Sequence, residues 1–370
     1  MNNGAWWHCD DARVKIVHDD SRNTKIGYLK REACKNASGR ILLELDHDDE
    51  LLPTALEEVA SAFTDGCDFV YSNSINHDVR IDKPIHWPSR FGWSIRPVKY
   101  HGMDCLESVS AGPDPQSISR IWFAPNHLRA WDSKFYWKIG GHNPAMAVCD
   151  DHDLLCRTYI QGKMVHIDKP LYFYRVDGNN TWLKNQTDID TTMWETHSKY
   201  IYKMAEKWAT VNELRKIDLC GGIGGAPGYE TIDLQGASIN ADLNERWPVA
   251  TNSVGVIRAH DAIEHLESPI HTMNESYRVL AHGGFLLIQV PAADGLGGHC
   301  DPTHVSYWNK RSFRYWTEKY VQQYILSAGA VGRFQSLMVK EVMRYDDVKY
   351  VDAHLVALKD GKRFYGEVLI

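Results

Sequence analysis

From Ile26 to Ala37 the apolar residues Ile26, Leu29, Ala33 and Ala37 keep helical spacing, and Gly39 follows where a helix would close. The next apolar run, residues 41–45, reads as a strand. Pro53 sits at a helix start, and Leu56, Val59, Ala60 and Phe63 then form one apolar stripe. The stretch "CDFVYS" at 67–72 predicts another short buried strand. Residues 183–213 are polar with little strand signal and predict a helical connector. A second alternation begins at Lys216, where "KIDLC", "ETIDL", "VGVIRAH" and "FLLIQV" are strand-like and a helix over 269–281 carries Ile270, Met273, Tyr277 and Leu280. Alternating strands and helices predict α/β folds. No internal repeat or low-complexity tract links the two halves, so they read as two different domains.

Composition narrows the class. A chain of 370 residues is long for one core. Lys plus Arg total 41 against 48 for Asp plus Glu, the formal charge is −7, and no long basic run occurs, which argues against nucleic acid as a main partner. Eight cysteines lie scattered without CxxC spacing, which argues against a zinc ribbon or a disulfide framework and for a reducing compartment. No apolar run approaches 18 residues, and "MNNGAWWHCDD" is unlike a signal peptide, so a cytoplasmic protein with no transmembrane segment is expected. The 13 Trp and 18 Tyr crowd residues 86–137 and 302–320; such rings fill cores and also suit sugars.

The chemistry starts at "RILLELDHDDELLP", residues 40–53, where Asp46, His47, Asp48 and Asp49 follow directly on a strand. At the carboxyl end of a parallel strand such side chains face the crevice where α/β proteins bind ligands, and a divalent cation relieves repulsion between carboxylates. Asp46 and Asp48 form a DxD pair. A hard cation held by few protein oxygens keeps positions for a diphosphate. A solvated acidic turn is the plain alternative.

The segment "IGYLKREACKNASGRILLELDHDDELLPTALEEVASAF", followed by "GGHNPAMAVCDDHDLLCRTYIQG" at 140–162 and "HIDKPLYFYRVDGNNT" at 166–181, resembles the inverting family 2 glycosyltransferases of the GT-A fold. The resemblance covers roughly residues 12–182. It implies that Asp46 and Asp48 bind Mn2+ or Mg2+ and the diphosphate of a nucleotide-sugar, and that Asp151 is the base, with Asp150 as the other candidate. A base is needed because a sugar hydroxyl is a poor nucleophile until its proton is removed. Helix capping is the structural alternative for that acidic pair. Asp177 stands where relatives often carry a metal-ligating His. The family's opening strand and helix, which hold the nucleotide base, are shortened here, and "WWHCDD" stands at best for a remnant of the second strand.

The stretch "KIDLCGGIGGAPGYETIDL" resembles the first loop of class I S-adenosylmethionine-dependent methyltransferases. Its strand ends at Asp218 and runs into glycines, since a side chain there would block the cofactor's approach to the backbone. Gly222 and Gly224 fit the family positions, whereas Cys220 replaces the usual first glycine. Asp233 ends the next strand, where the family's acidic residue takes the ribose hydroxyls, and Asp242 resembles the residue meeting the adenine amino group. His260 closes the fourth strand and counts with the cofactor-side residues. The segment "VGVIRAHDAIEHLESPIHTMNESYRVLAHGGFLLIQVP" follows the family's fourth strand, helix and "LxPGG"-like turn, with His282 in place of Pro. A nicotinamide-binding domain is the competing reading of the glycines. His299, Asp301 and His304 have spacing that suits a metal or an ordinary polar loop, and His265 reads as a base or a capping contact.

The expectation is therefore an α/β protein of two domains. A shortened GT-A-type nucleotide-diphospho-sugar transferase domain spans 1–182, a helical connector 183–213, and a Rossmann-like class I methyltransferase domain 214–370. The expected function is metal-dependent inverting sugar transfer from a nucleotide-sugar to a glycan or glycosylated acceptor, plus methyl transfer from S-adenosylmethionine to the sugar product. The alternative is a methyltransferase whose glycosyltransferase-like domain is an inactive carbohydrate-binding or scaffold module.

Overall fold

The structure is a computed structural model that describes residues 13–17, 21–64, 66–85, 92–345, 347–360 and 364. The segment "WWHCDD" lies outside them. Two sheets organise the chain. The first holds β1 (Ile41–Leu43), β2 (Glu50–Leu51), β3 (Phe69–Asp78), β4 (Lys83–Pro84), β5 (Ser94–Tyr100), β6 (Met103–Val109), β7 (Arg129–Asp132) and β8 (Met164–Val176). Its main order is β1-β7-β3-β6-β5, with β8 on the free side of β3. All ten residues of β3 are buried, so this strand is the axis of the first core. Around it lie α1 (Ile26–Asn36), α2 (Ala55–Ala62), α3 (Pro115–Ile118), α4 (Ser133–Lys138) and α5 (Asp150–Gln161).

Two expectations need correction here. Among the described residues β1 pairs only with β7, and that pairing is antiparallel, so the acidic cluster does not follow a strand shown in parallel pairing. The parallel pair in this sheet is β3 with β8. In α2 the buried side is Ala55 and Val59, with Phe63 just beyond, whereas Leu56 is 65% exposed. The helical period was legible, but the phase of its buried side was set by β8, which packs on α2.

The second sheet holds β9 (Arg215–Leu219), β10 (Glu230–Asp233), β11 (Ile239–Asn240), β12 (Val254–His260), β13 (Leu280–Pro291), β14 (Phe334–Arg344) and β15 (Val348–Ala357), in the order β11-β10-β9-β12-β13-β15-β14. The first five are parallel and β15 is antiparallel to both its neighbours. Strand order reverses between β9 and β12, and the crevice beyond the carboxyl ends at such a switch point is where open α/β sheets bind ligands. Parallel neighbours normally need a helical crossover. Between β9 and β10, however, residues 220–229 hold only a single 3-10 turn, Gly222–Gly224.

After the short α6 (Thr181–Lys184), α7 (Gln186–Val211) runs for 26 residues between the sheets. Its Tyr200, Ile201, Met204, Ala205 and Ala209 join one apolar cluster with Ile118, Cys156 and Tyr159 of the first half and with Val256, Phe285, Leu287 and Val356 of the second. The intervening residues Ile257, Leu286 and Leu355 face the opposite core, where Met273 of α8 (Pro269–Val279) packs. One face of the second sheet is therefore covered by α7 and the first half together. Lys207 on α7 donates to the carbonyls of Tyr159 and of Gly162, the latter at 2.7 Å, at the end of α5, where a helix terminus favours positive charge. The described cysteines are all free, and no described helix is long and apolar enough to cross a membrane.

Candidate active sites

The first site is assembled by α1, β1, β7 and the start of α5 around Glu44, which lies one residue beyond β1 with its side chain 8% exposed. Glu44 faces three cationic groups: Arg129 Nε at 3.0 Å, His142 Nε2 at 2.7 Å and Lys30 Nζ at 3.7 Å. Burial disfavours its charge, but these neighbours win and hold its pKa well below the usual range. Lys30 also stands 3.6 Å from Asp46, and His127 Nε2 lies 3.6 Å from the other oxygen of that carboxylate. Arg129 continues to Asp151, donating Nη1–H to Oδ2 at 2.8 Å. The DxD aspartate and the candidate base thus share one buried cationic frame.

The acidic residues around this frame have separate roles. Asp46 and Asp48 have side chains about one-third exposed, and His47 is the neighbour of Asp48, at 3.8 Å. Asp49 turns inward: its carboxylate accepts from Tyr172 Oη and from the Arg175 N–H, both at 2.8 Å, and ties the cluster to β8. Burial raises its pKa to about 7. Asp150 and Asp151 lie in the first turn of α5, so the helix dipole also favours their charge. Asp150 is buried, and burial together with the adjacent Asp151 raises its pKa to about 6. Burial works on Asp151 in the same direction, but Arg129 and Lys30 override it and hold it well below the ordinary carboxylate range. With a side chain 23% exposed, Asp151 is the member of the pair that a substrate can reach. The α1 helix approaches this loop closely at Gly27, where a Cβ would come within 2.2 Å of the Asn143 carbonyl. Asp177 accepts from the Asn179 N–H at 2.7 Å and from Asn179 Nδ2, in a turn after β8, and none of these partners belongs to the acidic cluster.

The second site lies at the carboxyl ends of β9, β10 and β12. Asp218 is buried, and both its oxygens accept from Arg258 Nη1, at 2.9 and 2.8 Å, while Oδ2 also takes the Ala226 N–H at 2.8 Å. Asp218 therefore braces the glycine loop from beneath. Within the loop Cys220 and Gly222 have φ of 55° and 48°, and a Cβ on Gly225 would lie 2.1 Å from Thr231 Cγ2. Only glycine allows the loop to lie this close to β10. A Cβ on Gly222 would point to Asp233, 3.6 Å from its Oδ2, whereas one on Gly224 would meet open space. Asp233 accepts from the Leu234 N–H at 2.7 Å and stays half-buried at the end of β10. Asp242 is exposed beyond β11 and accepts from the Asn244 N–H at 2.9 Å. His260 has both ring nitrogens engaged, Nδ1 with Arg258 at 2.8 Å and Nε2 with Tyr202 Oη at 2.6 Å, and burial lowers its pKa to about 3. It is held beneath the crevice by Tyr202 of α7.

With this geometry in view, residues 6–111 match the family model for glycosyl transferase family 2, and residues 229–288 match the family model for a methyltransferase domain. The chain carries both domains. Asp46 and Asp48 fall inside the glycosyltransferase match, and Asp233, Asp242 and His260 inside the methyltransferase match; Asp150, Asp151, Asp177, Asp218, Gly222 and Gly224 lie outside both. No curated protein matches the chain. Among solved structures, the YcgJ protein of Bacillus subtilis is 12% identical with a TM-score of 0.28, over 42% of this chain and 98% of that one. A SAM-dependent methyltransferase from Aquifex aeolicus is 17% identical with a TM-score of 0.26, over 41% and 89%. Phosphoethanolamine N-methyltransferase 2 of Haemonchus contortus is 14% identical with a TM-score of 0.28, over 39% and 48%.

The first site contains close neighbours of the acidic residues that its motifs did not announce. Lys30, Glu44, the neighbours His127 and Arg129, and His142 come from four separate places in the chain, so most of their pairing is not a local pattern. The available signals were an acid within the apolar run "ILLEL" and an arginine within "LRAW". At the second site the missed residues are Arg258 on β12 and Tyr202 on α7. The expected grouping of His299, Asp301 and His304 is only partly made: His304 Nε2 is 4.0 Å from Asp301 Oδ2, while His299 turns to the Ala293 carbonyl at 3.0 Å and packs on Tyr307.

Proposed function

We propose that the chain is a bifunctional glycan-modifying enzyme. In this reading residues 1–182 transfer a sugar with inversion from a nucleotide-sugar to an acceptor hydroxyl, residues 183–213 join the halves, and residues 214–370 transfer a methyl group from S-adenosylmethionine to the sugar product. The observation that carries it is the common frame of Lys30, Glu44 and Arg129, in which Lys30 meets the DxD carboxylate Asp46 and Arg129 meets the part-exposed Asp151.

Asp46 and Asp48 offer hard carboxylate oxygens at the surface, a donor set that suits Mn2+ or Mg2+ completed by a diphosphate. When bound, the metal neutralises charge on the leaving nucleotide. Asp177 would join that set only if its turn closed over the cluster. Asp151 accepts the acceptor's proton as its oxygen attacks the anomeric carbon, and Asp150 lies behind it. In the second half Asp233 takes the ribose hydroxyls, Asp242 the adenine amino group, and the loop with Gly222 and Gly224 the chain of the methyl donor, while Asp218 and His260 brace that loop and strand from beneath.

A second reading rests on the same cations. Lys30 and His127 already face Asp46, and Arg129 already holds Asp151, as in a glycan-binding module that no longer turns over. One experiment separates the two. The full chain is supplied with glycan acceptor, nucleotide-sugar, manganese and labelled S-adenosylmethionine, and the reaction is repeated with Asp48→Asn and with Asp151→Asn. Bifunctional transfer requires label in the glycan with the wild type alone. Equal labelling in all three would show that methylation is independent of sugar transfer.

A further inference from the structure

Glu264 and His265 occupy a single 3-10 turn, Ile263–His265, just after β12, and His304 reaches them from the loop that follows β13. A carboxylate oxygen and two ring nitrogens, one from each residue, lie within 4.8 Å of one another. Backbone contacts fix the two segments together. The N–H groups of Val305 and Ser306 both donate to the Glu264 carbonyl, at 2.9 and 3.0 Å, and Ser306 Oγ donates to the Ile263 carbonyl at 2.8 Å.

His304 turns Nε2 to the centre, 4.0 Å from Glu264 Oε1, and both rings hold Nδ1 against a backbone carbonyl. His304 Nδ1 lies 3.2 Å from the Gly298 carbonyl. His265 Nδ1 lies 3.3 Å from the Thr303 carbonyl and 3.1 Å from Thr303 Oγ1, whose own hydrogen goes to Asp301 Oδ1 at 2.6 Å. Carbonyl oxygens only accept, so each Nδ1 carries the proton and each Nε2 keeps its lone pair. Metal-bound histidines are usually held in this way, with the far nitrogen donating to a carbonyl.

Glu264 supplies the independent sign of a ligand. It is 2% exposed, no side chain hydrogen-bonds either carboxylate oxygen, and only the nearby backbone N–H groups of Ala262 and of Glu264 itself favour its charge. The His304 Nε2 atom lies 4.0 Å from Oε1, and Asp261 and Asp301 add like charge nearby. A carboxylate buried among acids is costly unless a cation meets it. The group also borders the cofactor loop, since Cys220 Sγ lies 3.9 Å from the Ala262 carbonyl and feels the charges of both Asp233 and Glu264.

We propose that Glu264, His265 and His304 bind a divalent transition-metal ion, of the zinc or manganese class, beside the methyl-donor crevice, and that an open position on it receives the acceptor oxygen. Two imidazoles and one carboxylate form the donor set of catalytic sites that keep such a position, and they suit these ions better than an all-oxygen cation. The role in methyl transfer rests on the function proposed above; the metal site does not. In the step it serves, the acceptor hydroxyl releases its proton to solvent, its oxygen bonds to the methyl carbon, and the carbon–sulfur bond breaks with its electron pair left on sulfur as S-adenosylhomocysteine.

The test uses the full chain carrying Asp46→Asn and Asp48→Asn, so that the first site does not contribute, titrated with cobalt(II) alone. One equivalent should bind with a visible d–d absorption, and His304→Ala should weaken that binding by about tenfold or more. Should His304→Ala fail to fold by circular dichroism, His265→Gln decides the same question. Absence of the absorption, or an unchanged titration in the folded variant, overturns the site. Thermal stabilisation by S-adenosylhomocysteine is read separately: stabilisation without cobalt binding removes the metal site alone, and cobalt binding without stabilisation removes the methyl-donor reading while the metal site stands.

Discussion

Glu44 concentrates the electrostatics of the first site, and His142 makes it pH-dependent. His142 is fully buried; burial lowers its pKa, but Glu44 at 2.7 Å overrides this and raises it to about 9. A histidine raised above its unfolded value of about 6.5 stabilises the fold fully below that pH and loses the contribution as pH rises through 9. The thermal midpoint should therefore fall between pH 6.5 and 9, by an amount equivalent to no more than about 3 kcal/mol. His142→Gln should flatten that slope; a variant that keeps it would show that another group carries it. The carboxylates of this region were legible because Asp46, Asp48, Asp150 and Asp151 sit in short motifs next to a strand and a helix. Their cationic partners were not, because Lys30, Arg129 and His142 meet them only after distant segments fold together.

At the scale of elements, α7 shows where periodicity stops informing. Its helical nature was legible from a polar stretch without strand signal, but not its two-sided burial, because the partners on either side come from different halves. The contact is tightest at β12, where a Cβ on Gly255 would lie 2.6 Å from Ala209 Cβ and 3.0 Å from Ala209 Cα. Backbone on both sides leaves no flexible side chain to yield. Gly255→Ala should thus destabilise the chain by roughly 1–3 kcal/mol, the usual cost of overpacking, seen as a lower denaturant midpoint. An unchanged midpoint would mean that helix and strand slide apart freely. The strands of the second sheet were the most legible elements, since "KIDLC", "ETIDL", "VGVIRAH" and "FLLIQV" each became one. In the first sheet the antiparallel partner of β1 was not foreseen, because a three-residue strand carries no sign of its neighbour's direction.

For the whole molecule, the shared cluster around α7 predicts joint unfolding. Gln116 of the first half donates to the Gly283 carbonyl of the second at 2.7 Å, and His197 on α7 meets both the Ser119 carbonyl at 3.1 Å and His354 Nδ1 at 2.9 Å. Scanning calorimetry of the full chain should give one transition, and S-adenosylhomocysteine should move all of it upward, because a ligand that binds the folded form stabilises everything coupled to it. Two transitions, with only one responding, would show that the halves melt separately. The missing crossover helix between β9 and β10 gives this coupling a further meaning. Where a self-sufficient domain would shield its sheet with its own helix, this one borrows α7 and the flank of its neighbour. A gene cut after residue 182, or before residue 214, leaves an oily wall on at least one fragment, so neither half is a cassette that recombination can lift out alone. The two halves can be passed between lineages, or grafted by an engineer, only as one heritable unit that carries the helix and both surfaces matched to it.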